Sequence, residues 1–148
     1  MELLLVRHGE SAANMNRLVH KEIADHAISL TDNGMAQATF AARKVNNYLQ
    51  QYETSLTGKD KPKIGLWVSP YLRTRQTAEP FKNLKWSDDS PLFVSMKEDV
   101  ALVEQQFGLF DGLTDEELQK KYPNEYEHYN KCERFNGRFW ARMPLGES

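Results

Sequence analysis

Cysteine is almost absent: Cys132 is the only one in 148 residues. A single thiol excludes an intrachain disulfide framework and a zinc site built from several cysteines. Charge of one sign is lacking too. Nineteen Lys and Arg face 21 Asp and Glu, for a net charge of −2, too near neutral to point to nucleic acid or to a polybasic membrane surface. Long apolar runs are also missing. The longest, Leu3-Leu4-Leu5-Val6, has the length of a strand and falls far short of the roughly 18–20 residues of a membrane span. The N-terminus has no basic-then-apolar leader pattern, and no internal repeat, metal motif or nucleotide-binding glycine loop is present. What remains is 40% hydrophobic and 27% charged, the balance of a globular protein, expected as a single cytoplasmic domain over residues 1–148 with no cofactor.

Along the chain, apolar spacing changes period in a regular way. Glu2–Val6 lacks helical spacing and suits a strand buried on both faces. A polar, alanine-bearing stretch from Ser11 to Leu18 can begin a helix, whereas Val19–Ser29 has no clear period. Thr31-Asp32-Asn33-Gly34 reads as a helix entrance, and Met35, Ala38, Ala42, Val45, Leu49 and Tyr52 follow at spacings of three and four. Glu53–Lys63, with its lysines at 59, 61 and 63, reads as a solvated loop. Ile64–Val68 is a second strand, a helix follows from about Tyr71 to Phe81, and Leu92–Met96 is a third strand. Lys97–Gly112 is irregular. Thr114-Asp115-Glu116-Glu117 carries a capping-box pattern for a helix ending near Tyr122-Pro123, and a last helix runs from Asn124 to about Phe135. The aromatic tract Tyr122–Trp140 reads chiefly as packing. Strands alternating with helices define the α/β class, with a parallel-type central sheet and helices on both faces.

In such sheets the working residues lie just beyond the carboxyl ends of the strands. Those places hold Arg7-His8-Gly9-Glu10-Ser11, then Ser69-Pro70 with Arg73, then the loop containing Glu104. Two arginines, a histidine and a carboxylate describe an anion site with acid–base chemistry. Arg7 supplies fixed charge and a forked donor geometry suited to phosphate, and Gly9 allows close backbone approach. By pattern alone, a catalytic His8 and a structural histidine capping a strand stand about level. The other histidines, His20, His26 and His128, have no metal-ligand spacing.

Four ordered motifs shift that balance. Leu4-Leu5-Val6-Arg7-His8-Gly9-Glu10-Ser11 with Asn14 resembles the opening of the histidine phosphatase superfamily, the phosphoglycerate-mutase-like proteins. Leu30-Thr31-x-x-Gly34-x-x-Gln37-Ala38 resembles that family's first long-helix entrance. Ser69-Pro70-x-x-Arg73-Thr74-x-Gln76-Thr77-Ala78 resembles its second phosphate-binding segment, and Glu104-x-x-Phe107-Gly108-x-x-Asp111-Gly112 its acid-bearing loop. Gly137-Arg138-Phe139-Trp140-x-Arg142-x-Pro144-x-Gly146-Glu147-Ser148 is similar to a segment of small plant and fungal members.

The resemblance implies a phosphoglycerate-mutase-like fold and a nucleophilic His8 that takes up a phosphoryl group as phosphohistidine, which water discharges. It implies phosphate clamping by Arg7, Asn14 and Arg73, and a Glu104 that protonates the leaving oxygen and later deprotonates water. The implied partner is a small phosphorylated substrate or a phosphoprotein; neither nucleic acid nor membrane is expected. The family also has a second histidine, in a His-Gly dipeptide well after the Gly-Glu-Ser segment, and no remaining histidine of this sequence has that context. Three strands are also fewer than the roughly 4–6 of common open sheets. The expectation is therefore a domain incomplete at its C-terminus. No extra insertion suited to shielding a phosphohistidine stands at Val19–Ser29 or after Gly112, which favours phosphatase over mutase. A catalytically impaired phosphate- or partner-binding module is the third reading.

Overall fold

The computed structural model describes residues 2–53, 63–86, 90–136 and 143–146. Its contacts group into two compact units, Met1–Val103 and Glu104–Ser148. The first contains helix α1 (Ala12–Met15), helix α2 (Asp32–Glu53), strand β1 (Ile64–Val68), helix α3 (Leu72–Ala78) and strand β2 (Val94–Glu98). Short 3-10 turns at Arg17–Lys21, Asp25–Ala27, Glu79–Asn83 and Val100–Leu102 connect them. The second holds a 3-10 turn at Gly108–Phe110, helix α4 (Asp115–Lys121) and helix α5 (Pro123–Asn136).

The apolar stripe of α2 does what its spacing predicts. Ala38, Ala42 and Leu49 are buried and Val45 is half-buried, while Met35 at the open end is exposed. Ala42 and Leu49 share a core with Phe81, Leu84, Trp86 and Leu92, and Ile64, Leu66 and Val94 pack onto it from the sheet. Each large side chain enclosed there contributes roughly 1.5–3 kcal/mol. The strands β1 and β2 pair in parallel, Ile64 opposite Val94 through Val68 opposite Glu98. Gly65, Trp67, Ser95 and Lys97 occupy the alternate positions and are exposed. The sheet is thus parallel, as expected.

Two boundaries shift from the sequence reading. The third strand begins two residues late because Leu92 donates its N–H to Leu84 O (2.9 Å), within a return that also joins Trp86 N to Ser90 O (2.8 Å). Pairing with β1 starts only after that bond is made. The helix after Ser69-Pro70 is regular only to Ala78 and continues as the Glu79–Asn83 turn. Pro80 has no N–H to extend the α-helical ladder, so the chain tightens there.

The Glu2–Val6 strand is the larger correction. This segment has no strand pairing, and Leu3 and Leu5 are 80% and 89% exposed. A strand buried on both faces needs neighbours along its edges as well as an apolar sequence. Instead a cleft of about 340 Å³ lies where Leu3, Leu4 and Val6 face Val45 and Leu49 of α2 and Ile64–Leu66 of β1. Tyr48 Oη donates to Glu2 Oε2 (2.6 Å) at its rim.

In the second unit the capping box is formed: Glu117 N–H donates to Thr114 Oγ1 (3.3 Å) and Thr114 N–H to Glu117 Oε2 (2.9 Å). Phe110, Leu118 and Met143 make its core. Tyr122, Tyr126 and Tyr129 surround the Phe110 ring with centroids 6.4, 6.4 and 5.6 Å away, so this part of the aromatic tract is packing. Phe135 is 86% exposed. Phe139, Trp140, Lys59 and Lys61 lie outside the described residues, as do Glu147 and Ser148.

Candidate active site

The first, second and third sequence motifs interlock within the first unit. The Gly9 N–H donates to Thr77 Oγ1 (3.1 Å), and that hydroxyl donates to Arg73 O (2.8 Å) one turn earlier on α3. The His8-Gly9 turn is thereby docked on the helix that carries Arg73. Glu10 ties the same turn to the start of α2. Its N–H donates to Gln37 Oε1 (2.9 Å), and its carbonyl accepts from Thr31 N (2.9 Å). The Thr31 hydroxyl donates to Glu10 Oε1 (2.7 Å), and Leu30 N donates to Gln76 Oε1 (2.7 Å). Gly9 and Gly34 cross backbone to backbone. A Cβ at Gly9 would run into the Gly34 carbonyl, and one at Gly34 into that of Glu10. The threonines, glutamines and glycines of the motifs are therefore joints between segments.

His8 is half-buried, and its Nδ1 lies 2.7 Å from Gly9 O. A carbonyl only accepts, so Nδ1 carries a proton, and whenever the ring is neutral the lone pair is on Nε2. Beside it Ser11 is 2% exposed and caps α1. Asn14 Oδ1 accepts from Ser11 N (2.9 Å) and lies 3.1 Å from Ser11 Oγ. That arrangement turns the amide oxygen into the cap and leaves the NH2 as the donor end of Asn14. Arg7 is exposed.

Arg73 is 4% exposed. Its Nη1 donates to Asp25 O (2.7 Å) and Asp25 Oδ1 (3.0 Å), and its Nη2 to Asp25 Oδ2 (3.3 Å). The Tyr71 ring stacks on the guanidinium, 4.8 Å from centroid to Cζ. His20 Nδ1 lies 3.7 Å from Asp25 Oδ1. Asp25 escaped the sequence reading, because nothing about an aspartate in an aperiodic stretch signals a partner 48 residues away. His26, in the same turn, is exposed.

Glu104 belongs to the second unit, where it opens the chain and is exposed. Its loop is anchored inside that unit: Leu109 N donates to Pro144 O (2.9 Å), and Gly108 has φ 56°. A Cβ on Gly108 would meet the Pro144 carbonyl and Gly146 N. The acid-bearing motif and the Pro144-x-Gly146 motif are thus two sides of one contact. Among the described residues no group of three or more His, Cys, Asp or Glu is arranged to hold a metal. No helix among them is long and apolar enough to cross a membrane.

The profile of the histidine phosphatase superfamily (branch 1) matches residues 3–148, and the chain belongs to that family. It is 32% identical over 146 residues to the phosphoglycerate mutase-like protein AT74 of Arabidopsis thaliana, covering 99% of this chain and 41% of that protein. It is also 32% identical over 146 residues to a fructose-2,6-bisphosphatase of Saccharomyces cerevisiae, covering 97% of this chain and 25% of that protein. Among solved structures it is similar to a proposed alpha-ribazole-5'-P phosphatase of Escherichia coli. The TM-score is 0.57 at 24% identity, covering 97% of this chain and 57% of that one, a likeness of fold. The chain spans less than half the length of the plant relative.

Proposed function

We propose that the protein is a phosphomonoester hydrolase that works through a phosphohistidine on His8. The substrate phosphorus is attacked by His8 Nε2, and the bond from phosphorus to the ester oxygen breaks. Glu104 delivers a proton to that leaving oxygen and then takes one from the water that releases phosphate. Arg7, Arg73 and the NH2 of Asn14 hold the non-transferring oxygens, meeting their charge with donors already in place. The substrate is a phosphorylated molecule whose phosphate alone these groups recognise.

One observation carries the reading: the hydrogen bond from His8 Nδ1 to Gly9 O (2.7 Å). In the neutral ring it puts the proton on Nδ1 and the lone pair on Nε2, in a segment that is itself docked to the helix of Arg73. A histidine that merely capped a strand has no need of such a tautomer lock. The family's phosphatase-named relatives support the same chemistry.

An aryl phosphate is the first substrate to try, with released phosphate as readout. We expect turnover by the protein and its loss to background in His8→Ala, together with the loss of an acid-labile phosphoenzyme. Unimpaired turnover by His8→Ala overturns the assignment. Glu104→Gln is expected to lose about 10²–10⁴-fold with alkyl phosphates and much less with aryl phosphates, whose leaving groups need no proton. An isomerised phosphoester in place of free phosphate identifies a mutase.

A further inference from the structure

We infer that Asp25 is the positioning residue of the phosphate site: it sets the plane and direction of the Arg73 guanidinium. The inference rests on the proposed role of Arg73 as a phosphate clamp.

Asp25 holds Arg73 by two kinds of acceptor. Its carboxylate engages both terminal nitrogens, Oδ1 with Nη1 at 3.0 Å and Oδ2 with Nη2 at 3.3 Å. Its backbone carbonyl takes a further bond from Nη1 at 2.7 Å. A bidentate fork fixes a guanidinium in its own plane, and the Tyr71 ring, 4.8 Å away, limits tilt out of it. With Arg73 4% exposed, the buried charge has a partner and a defined heading before any ligand arrives.

A carboxylate against a phosphate-binding arginine admits an opposite reading, in which Asp25 occupies the place of the phosphate and must leave. Two features argue for positioning. The carbonyl of Asp25 shares Nη1 with its carboxylate, and it cannot withdraw unless the Asp25–Ala27 turn moves as a whole. That turn is also secured by its own bonds, Ala27 N to Ala24 O (2.8 Å) and Ile28 N to Asp25 O (3.3 Å), and leads into Ile28, the most completely buried side chain of the core. An exchangeable phosphate mimic has no use for such an anchor. The other titratable group at Asp25 is His20, 3.7 Å from Oδ1.

The two readings predict opposite signs. Inorganic phosphate binding, followed by titration calorimetry, and KM and kcat for an aryl phosphate are measured for the wild type, Asp25→Asn and Asp25→Ala. Positioning predicts weaker phosphate binding and a higher KM in both variants. The loss is about tenfold for Asn, which keeps one acceptor, and up to about 10²-fold for Ala, as expected when a clamp is misplaced by about 1 Å. Tighter phosphate binding in either variant overturns the proposal in favour of the mimic. Unchanged binding and KM in folded variants overturns it as well.

A double-mutant cycle separates positioning from a general structural effect. In an Arg73→Ala background, Asp25→Asn is expected to change phosphate affinity by less than twofold, whereas an additive loss overturns the proposal. Should Asp25→Ala fail to fold, the near-isosteric Asp25→Asn decides alone. Failure of the phosphatase reading is told apart, because it removes turnover and phosphate binding from the wild type.

Discussion

At the scale of single residues, the candidate site is held by atoms whose donor and acceptor roles are both in use. Thr77 Oγ1 is the clearest case, accepting from Gly9 N and donating to Arg73 O inside a buried setting. Thr77→Val keeps the volume but leaves the Gly9 N–H without its acceptor, which costs about 1–3 kcal/mol. Chemical denaturation is expected to show that loss, and turnover to fall with it; a variant as stable as wild type contradicts the docking role. Gly34→Ala is expected to cost more than about 2 kcal/mol, since the added Cβ meets backbone at Glu10 and not a movable side chain. Asp99 illustrates a solvated joint. The Ala101 N–H that it caps holds its carboxyl below the ordinary aspartate range, against an opposing desolvation and with help from the neighbouring Lys97. Its stabilising contribution is accordingly present above the unfolded-state value and lost as pH falls through the lowered one. A carbon-detected NMR titration is expected to show Asp99 titrating below the ordinary aspartate value, and a titration at or above that value contradicts the cap.

At the scale of elements, what could be read from the sequence was what is decided locally. Helix α2 follows its apolar stripe, β1 falls on Ile64–Val68 as its apolar run predicts, and α4 starts where Thr114 and Glu117 form the capping box. Thr114→Ala is expected to cost about 1 kcal/mol, visible as a lower melting temperature. Elements decided by distant neighbours were not legible. Leu3–Val6 has a strand's composition, yet composition says nothing about whether an adjoining strand is there to pair with it. The start of β2 was displaced by a bond from Leu92 to Leu84, and Asp25 by its link to Arg73, neither of which leaves a periodic trace. The proposed site residues His8, Arg7, Arg73 and Glu104 stand out because they sit in ordered motifs, whereas Asp25 meets Arg73 across a sequence gap that no motif spans.

At the scale of the whole molecule, the near-zero net charge gives no sign of the proposed phosphate site, whose Arg7, Asn14 and Arg73 are a few groups of the Met1–Val103 unit. The apolar cleft beside Leu4 and Ile64 belongs to the first unit alone. An apolar cleft of this kind is expected to bind a hydrophobic dye, and Leu4→Lys to diminish that fluorescence while leaving the second unit's tyrosine signals unchanged. The link from Gly9 to Thr77 spans 68 residues and also governs when the site comes into being. The turn that carries His8 has no dock until Thr77 has been added. At about 5–20 residues per second of synthesis, that turn waits roughly 3–14 s for its seat, and the joint closes only when both ends of that interval exist.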